Sequence, residues 1–262
     1  MQIGGYIATL FIGISLGLIG GGGSILTVPV LVYLFGISPI IATSYSLFVV
    51  GSTSLIGSFN SYRKGFVDIH TAFLFGTSSI VTVFITRKFI IPHIPEHMMI
   101  GKTIIHFSFL MMILFAVLLV LASVSMIKSK QVEAKDSEYK TGFDKLLLYG
   151  IIIGLVTGFL GAGGGFLLIP ALVLLLHLPM KKAIGTSLLI IALNSLAGFI
   201  GDIGHFQTNW TFLLTISLIA IVGVFTGSLL GRSVNGLKLK KAFGWFVLIM
   251  GIYIIIKEIL VL

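Results

Sequence analysis

The chain has 262 residues, of which 57% are apolar and only 10% are charged, whereas a soluble domain has about 25% charged residues. This composition excludes a soluble globular protein, and the recurring apolar runs of roughly 17–25 residues predict an all-α polytopic membrane protein. The net charge is +9, and the basic residues lie at the ends of these runs. This placement therefore predicts orientation in a lipid bilayer rather than nucleic-acid binding. Because the chain has no cysteine, disulfides, thiolate metal sites and Fe–S clusters are excluded.

Ten apolar segments follow one another along the chain, five in each half. Residues 1–127 are predicted to form a first transmembrane repeat and residues 144–262 a second. Residues 128–143 are predicted to form a polar loop between them, and half of the chain's eight acidic residues lie between Lys128 and Asp144. The predicted segments are 3–19, 25–36, 40–61, 69–91, 99–127, 144–160, 166–178, 183–201, 210–231 and 242–262.

A glycine-rich motif occurs twice, at residues 17–24 and 158–165. Each copy is followed at the same distance by a proline, Pro29 or Pro170, and nine of eighteen positions are identical when the two copies are aligned. The apolar segment after each motif reaches only about 18–20 Å, less than the ~30 Å hydrocarbon core. The pattern predicts a tandem duplication with broken or re-entrant helices, which is typical of solute transporters.

The positive charges predict how the two repeats are oriented. If the chain changes to the other side of the membrane at each of the ten segments, thirteen of the seventeen Lys and Arg residues fall on one side of the membrane and four on the other. The positive-inside rule then places both termini outside and the loop of residues 128–143 in the cytoplasm. Since five segments is an odd number, the two repeats are predicted to be inverted relative to each other.

In inverted repeats the two glycine turns approach the middle of the membrane from opposite sides. Glycine lets the backbone come close to a ligand, and the helices expected to begin at Ser24 and Gly165 present free N–H groups with partial positive charge. Such helix N-termini can hold an anion without a charged side chain. Thr-Ser pairs at the start of each third segment add neutral donors. The predicted substrate-binding residues are Gly20, Gly21, Gly22, Gly23, Ser24, Thr43, Ser44, Gly161, Gly163, Gly164, Gly165, Thr186, Ser187 and Asn194.

The positions of the charged residues favour a small anionic substrate. No Asp, Glu, Lys or Arg is expected in the middle of a segment, whereas cation pathways normally contain intramembrane carboxylates. Asp202 and His205 are interpreted as a solvated loop pair, with a proton relay as the alternative, and Asp68 and Asn209 as N-caps of the fourth segments. No metal site and no cofactor is predicted.

The sequence resembles the TauE/SafE sulfite-exporter family, also called the TSUP transporters. The resemblance rests on the two glycine motifs with their prolines, on the two Thr-Ser pairs, and on a terminal pattern that runs from Gly227 through Arg232 to Gly244. It implies a multi-pass carrier in a prokaryotic plasma membrane that moves sulfite, sulfonates or related small organic anions. The first repeat departs from the pattern, because Thr86-Arg87 stands where the second has Gly231-Arg232.

These observations together predict a carrier, not an enzyme, in which one repeat moves against the other for alternating access. The expected partners are the small anion and the lipid bilayer. The sequence is also compatible with a homo-oligomer. An anion channel fits the same sequence. So does an intramembrane enzyme built on His106, which we expect to be the histidine well inside a span, although no carboxylate is placed to orient it. A membrane scaffold or sensor is a further alternative.

Overall fold

The computed structural model describes residues 2–95, 97–100, 103–128, 143–176, 178–230 and 236–261. In these residues the chain forms ten α-helices and one short β-hairpin. A 3₁₀ helix, Gly22–Leu26, precedes α2, and a π-helical turn, Thr86–Ile90, followed by a 3₁₀ turn, Ile91–His93, extends α4. The helices are α1 (Gln2–Ile19), α2 (Thr27–Tyr33), α3 (Pro39–Arg63), α4 (Ile69–Ile85), α5 (Phe107–Lys128), α6 (Phe143–Leu160), α7 (Gly165–Leu175), α8 (Met180–Asp202), α9 (Trp210–Leu230) and α10 (Gly236–Val261), and the strands are β1 (His97–Ile100) and β2 (Thr103–His106).

Five helices of the described part are long and apolar enough to cross a membrane: α3, α4 with its extension, α5, α8 and α9. Helices α1 and α6 are shorter apolar helices, as is α2 with its preceding turn. The prediction of an all-α polytopic membrane protein is therefore confirmed. Spans α3 and α8 are the most buried of the five, so they form the centre of the molecule. Large apolar side chains on the outer helices, such as Phe73 and Leu218, are exposed and face the lipid.

The predicted fifth segment, 99–127, is wrong at its start. Residues 97–100 and 103–106 pair as antiparallel strands, with His97 opposite His106, and α5 begins only at Phe107. Pro92 and Pro95 explain the interruption, because proline lacks the N–H that a continuing helix needs. His106 is consequently an exposed residue at the end of β2 rather than a residue inside a span.

The predicted caps of α4 and α9 are confirmed. The Asp68 carboxylate accepts a hydrogen bond from the Thr71 N–H (3.0 Å), and the Asn209 side-chain oxygen accepts one from the Phe212 N–H (3.1 Å). Each capped start is also tied to the central helix of the other half. The Asp68 N–H donates to the Thr186 hydroxyl (2.9 Å), and the Asn209 N–H donates to the Tyr45 hydroxyl (2.7 Å).

Helices of the first half of the chain pack mainly against helices of the second half. Helix α1 packs on α9, α4 packs on α6, and the central and final helices pair as α3 with α8 and α5 with α10. Small residues allow the first two contacts, since a methyl group on Gly13 would overlap the Ala220 carbonyl and one on Gly154 would overlap Ser79 and Thr82. The two halves of the sequence are therefore not two separate bundles.

Candidate functional site

The two glycine turns meet in the interior of the protein. Gly20 and Gly161 occupy the same position in their repeats and share a φ of +66°, a left-handed conformation that glycine adopts readily and other residues rarely do. These two residues end α1 and α6. The turns then run close together, because a methyl group on Gly165 would overlap the carbonyl oxygen and Cα of Gly21.

Beyond this shared break the two turns take different paths. In the first half Gly21 is also left-handed and a 3₁₀ helix begins at Gly22, whereas in the second half Gly163 and Gly164 are left-handed and α7 begins at Gly165. The predicted helix start at Gly165 is confirmed. The predicted start at Ser24 is wrong, because the first helix begins earlier as a 3₁₀ turn that the Ser24 hydroxyl closes by donating to the Gly21 carbonyl (2.7 Å).

The glycines of the predicted site face two different directions. Gly20 and Gly161 face the opposite half of the protein, because a methyl group on them would meet Ile184 and Thr43, respectively. Gly163 faces both central helices, because a methyl group there would meet Val50 of α3 and Ser195 of α8. Gly23 and Gly164 face the helix that precedes them, where Ser15 and Thr157 leave no room for a side chain. The last two glycines thus allow each hairpin to close, and the first three bring the turns against α3 and α8.

The predicted hydroxyl pairs already have hydrogen-bond partners at three of their four positions. Thr43 donates to the Ile40 carbonyl (2.8 Å) and Ser187 donates to the Ile184 carbonyl (2.9 Å) of their own helices, as buried hydroxyls often do. Thr186 accepts the hydrogen bond from the Asp68 N–H. The fourth hydroxyl, Ser44, lies beside the Asp202 carboxylate.

Other buried polar groups on α3 and α8 have no hydrogen-bond partner in the described part of the chain. They are the hydroxyls of Ser46, Ser54 and Ser195 and the side-chain oxygen of Asn194, all at most 1% exposed. The amide nitrogen of Asn194 donates to Ser79 (2.7 Å). Unpaired buried polar groups are rare, and at membrane depth they typically mark a substrate pathway. A spacing of seven or four residues along α8 links Ser187, Asn194, Gly198 and Asp202, and this pattern is visible in the sequence.

A buried ion pair lies at one end of the central helices. Arg87 is 1% exposed and Asp202 5% exposed, so the interpretation of Asp202 as part of a solvated loop is wrong. Arg87 Nη1 donates to Asp202 Oδ2 (3.1 Å) and to the Thr43 hydroxyl (3.1 Å). The guanidinium therefore joins the extension of α4 to both α3 and α8. Gly201 leaves room for its aliphatic stem, since a methyl group there would press on the Arg87 Cβ.

Two cavities lie at opposite ends of α3 and α8. The arginine cavity, of about 460 Å³, is lined by Arg87, Asp202, His205 and Ser38 together with apolar side chains. The lysine cavity, of about 410 Å³, is lined by Lys64 and Lys181, with no carboxylate among its described residues. Along α3 and α8, the glycine turns contact Val50 and Ile191, which lie between these two ends. The lysine cavity is therefore basic, whereas in the arginine cavity the positive charge of Arg87 is paired with the Asp202 carboxylate.

The sequence matches the family model described as "Sulfite exporter TauE/SafE" over residues 6–254. This chain belongs to the TauE/SafE family. Relatives include a "Probable membrane transporter protein" of Xylella fastidiosa (strain Temecula1), which is 30% identical over 93% of this chain and 91% of its own length. The "Probable membrane transporter protein YdhB" of Bacillus subtilis (strain 168) is 25% identical over 90% of this chain and 93% of its own length. No solved structure matches this TauE/SafE chain.

Membership in the TauE/SafE family, together with the apolar helices, makes this chain a membrane transporter. Sequence reasoning placed its site at the glycine turns and the Thr-Ser pairs, and the structure brings Gly165 against Gly21 and Gly161 against Thr43. It missed the Arg87–Asp202 pair, whose members are 115 residues apart along the chain.

Proposed function

We propose that this TauE/SafE chain is a carrier of small oxyanions, such as sulfite or a sulfonate, that works by alternating access in a prokaryotic plasma membrane. The observation that carries the proposal is the meeting of the two glycine turns between two cavities at opposite ends of α3 and α8. A carrier needs one site that two cavities reach in turn. The two lysines of the lysine cavity, which has no carboxylate among its described residues, favour an anion over a cation.

The packing of the helices suggests which parts move. A motion of one sequence half against the other would separate α1 from α9 and α4 from α6, which are packed through small residues. We therefore propose moving units that combine helices from both halves, with α1, α2 and α9 in one unit and α4, α6 and α7 in the other. The glycine turns lie at the contact between these units, so their approach would change during the cycle.

Replacing Gly165 with alanine tests this site. The added methyl group would overlap the backbone of Gly21 and hold the two turns apart. We expect Gly165→Ala to lower sulfite uptake into proteoliposomes at least tenfold. The control is Gly76→Ala in α4, where the added methyl group has only ordinary contacts at 3.8 and 3.9 Å and uptake should be unchanged. Uptake by Gly165→Ala at the wild-type rate would contradict a substrate site at the turns.

Saturation and counterflow in the same liposomes would distinguish the carrier from a channel.

We further infer that the arginine cavity opens outside and the lysine cavity opens to the cytoplasm, as the charge distribution predicts. Because the chain has no cysteine, single cysteines report this directly. Ser38 and Lys64 are exposed residues that line the arginine and lysine cavities, respectively. We expect a membrane-impermeant maleimide to label Ser38→Cys in intact cells, and Lys64→Cys only after permeabilisation. Labelling of both variants from the same side would rule out the proposed orientation.

A further inference from the structure

The Arg87 guanidinium is bonded at one nitrogen only. Nη1 holds both Asp202 and Thr43, while Nε and Nη2 are buried and have no hydrogen-bond partner in the described part of the protein. Leaving a buried N–H without a partner costs free energy, and more so when the group is charged. Two such donors on one fully buried side chain therefore require an explanation.

The geometry of the ion pair does not suit a purely structural role. Arginine–carboxylate pairs are frequently bidentate, with two parallel N–H groups on the two carboxylate oxygens. Here Asp202 binds at Nη1 alone, and Nε and Nη2 are left without a hydrogen-bond partner in the described part of the protein. The edge formed by Nε and Nη2 presents two N–H groups side by side, and this arrangement matches two oxygen atoms of a carboxylate, phosphate or sulfur oxyanion.

The position of Arg87 connects a cavity with the glycine turns. The residue lines the arginine cavity and contacts Thr43, and Thr43 in turn lies against Gly161 of the second turn. Arg87 also belongs to the π-helical turn of Thr86–Ile90, a distortion of the α-helix that is frequent at functional sites. An anion that enters this cavity thus meets the guanidinium before it reaches the turns.

We propose that the Nε–Nη2 edge of Arg87 binds two oxygen atoms of the transported oxyanion, with Asp202 as the internal counter-ion on Nη1. The inference rests on the proposed carrier function and names a residue for its substrate. Asp202 lets the guanidinium stay buried while no anion is bound, and it weakens the hold on the anion by like-charge repulsion, so that the anion can leave. The two partners therefore have opposite effects on affinity.

Binding of sodium sulfite and methanesulfonate to the purified full-length chain in nanodiscs tests this assignment by calorimetry. We expect Arg87→Lys to raise Kd at least tenfold, because the charge is kept and the paired donors are lost. Asp202→Asn should lower Kd several-fold, because a negative charge leaves the site. The control is Lys88→Gln, which removes an exposed cation next to Arg87 and should leave Kd unchanged.

An ion pair that only held the helices together would give a different result, since both substitutions would then weaken binding together. An unchanged Kd in Arg87→Lys, weaker binding in Asp202→Asn, or no binding of either probe to the wild type would each overturn the inference. If Arg87→Lys does not fold, the increase in affinity of Asp202→Asn still decides the matter.

Uptake into liposomes is measured on the same preparations. Binding that depends on Arg87 without any uptake would contradict the carrier function and support Arg87 as an anion-binding residue. Uptake together with a Kd that Arg87→Lys leaves unchanged would support the carrier function and contradict the role of Arg87.

Discussion

Replacing Arg87 with methionine is expected to lower the free energy of unfolding by about 3–5 kcal/mol, because the substitution leaves the Asp202 carboxylate buried without its counter-ion. Thermal unfolding in detergent, followed by size-exclusion chromatography of the heated protein, measures the loss. The control is Lys88→Met, which removes a neighbouring exposed cation and should change stability by less than about 0.5 kcal/mol.

The double variant Arg87→Met/Asp202→Leu separates stability from function. Replacing a buried ion pair by apolar side chains of similar volume is often neutral for stability, so the second substitution should restore most of what the first one lost. The restored protein should still fail to bind sulfite, because the guanidinium is absent. A double variant as unstable as Arg87→Met alone would show that the destabilisation does not come from the unpaired carboxylate.

The second large effect is expected at Gly161, where α6 ends. Alanine there must adopt a φ of +66°, which costs about 1–2 kcal/mol, and its methyl group would overlap both the backbone and the side chain of Thr43. Crowding of this kind adds about 1–3 kcal/mol. Because Thr43 bonds to Arg87, we expect Gly161→Ala to reduce sulfite uptake as well as the melting temperature.

Gly36 provides a matched control for the conformational part of this effect. Its φ is +70°, and a methyl group built on it has no atom within 4 Å. Gly36→Ala therefore introduces the same backbone strain without the overlap and should leave uptake intact. If Gly36→Ala and Gly161→Ala lost equal stability, contact between the second glycine turn and α3 would not be what makes Gly161 important.

Features that depend on neighbours in the sequence could be predicted from the sequence. The break at Gly20 and Gly161, the short helices with Pro29 and Pro170, and the cap at Asp68 all follow from local chemistry, and each is found close to its predicted place. The hairpin before α5 was missed because methionine and isoleucine suit strand and helix alike when only hydropathy is considered.

The ion pair could not be predicted by the same reasoning. Arg87 and Asp202 each lie near the end of an apolar segment, and a charged residue in that position normally reaches the membrane surface. Whether it does so depends on which helix packs alongside. The π-helical turn carries α4 onward past Arg87, and the close approach of α8 at Gly198 and Gly201 encloses the side chain. This contact joins residues from different halves of the chain and leaves no local signal.

The packing of first-half helices against second-half helices has a consequence for biosynthesis. The face of α1 that carries Gly13 and Gly17 is covered by α9, and the ribosome makes α9 only after it has completed most of the chain. At about 5–20 residues per second, the interval between Ile19 and Trp210 is on the order of 10–40 s. Throughout that time α1 remains in the bilayer without its final neighbour. A gene cut between α5 and α6 would therefore yield two fragments that each need the other to finish folding.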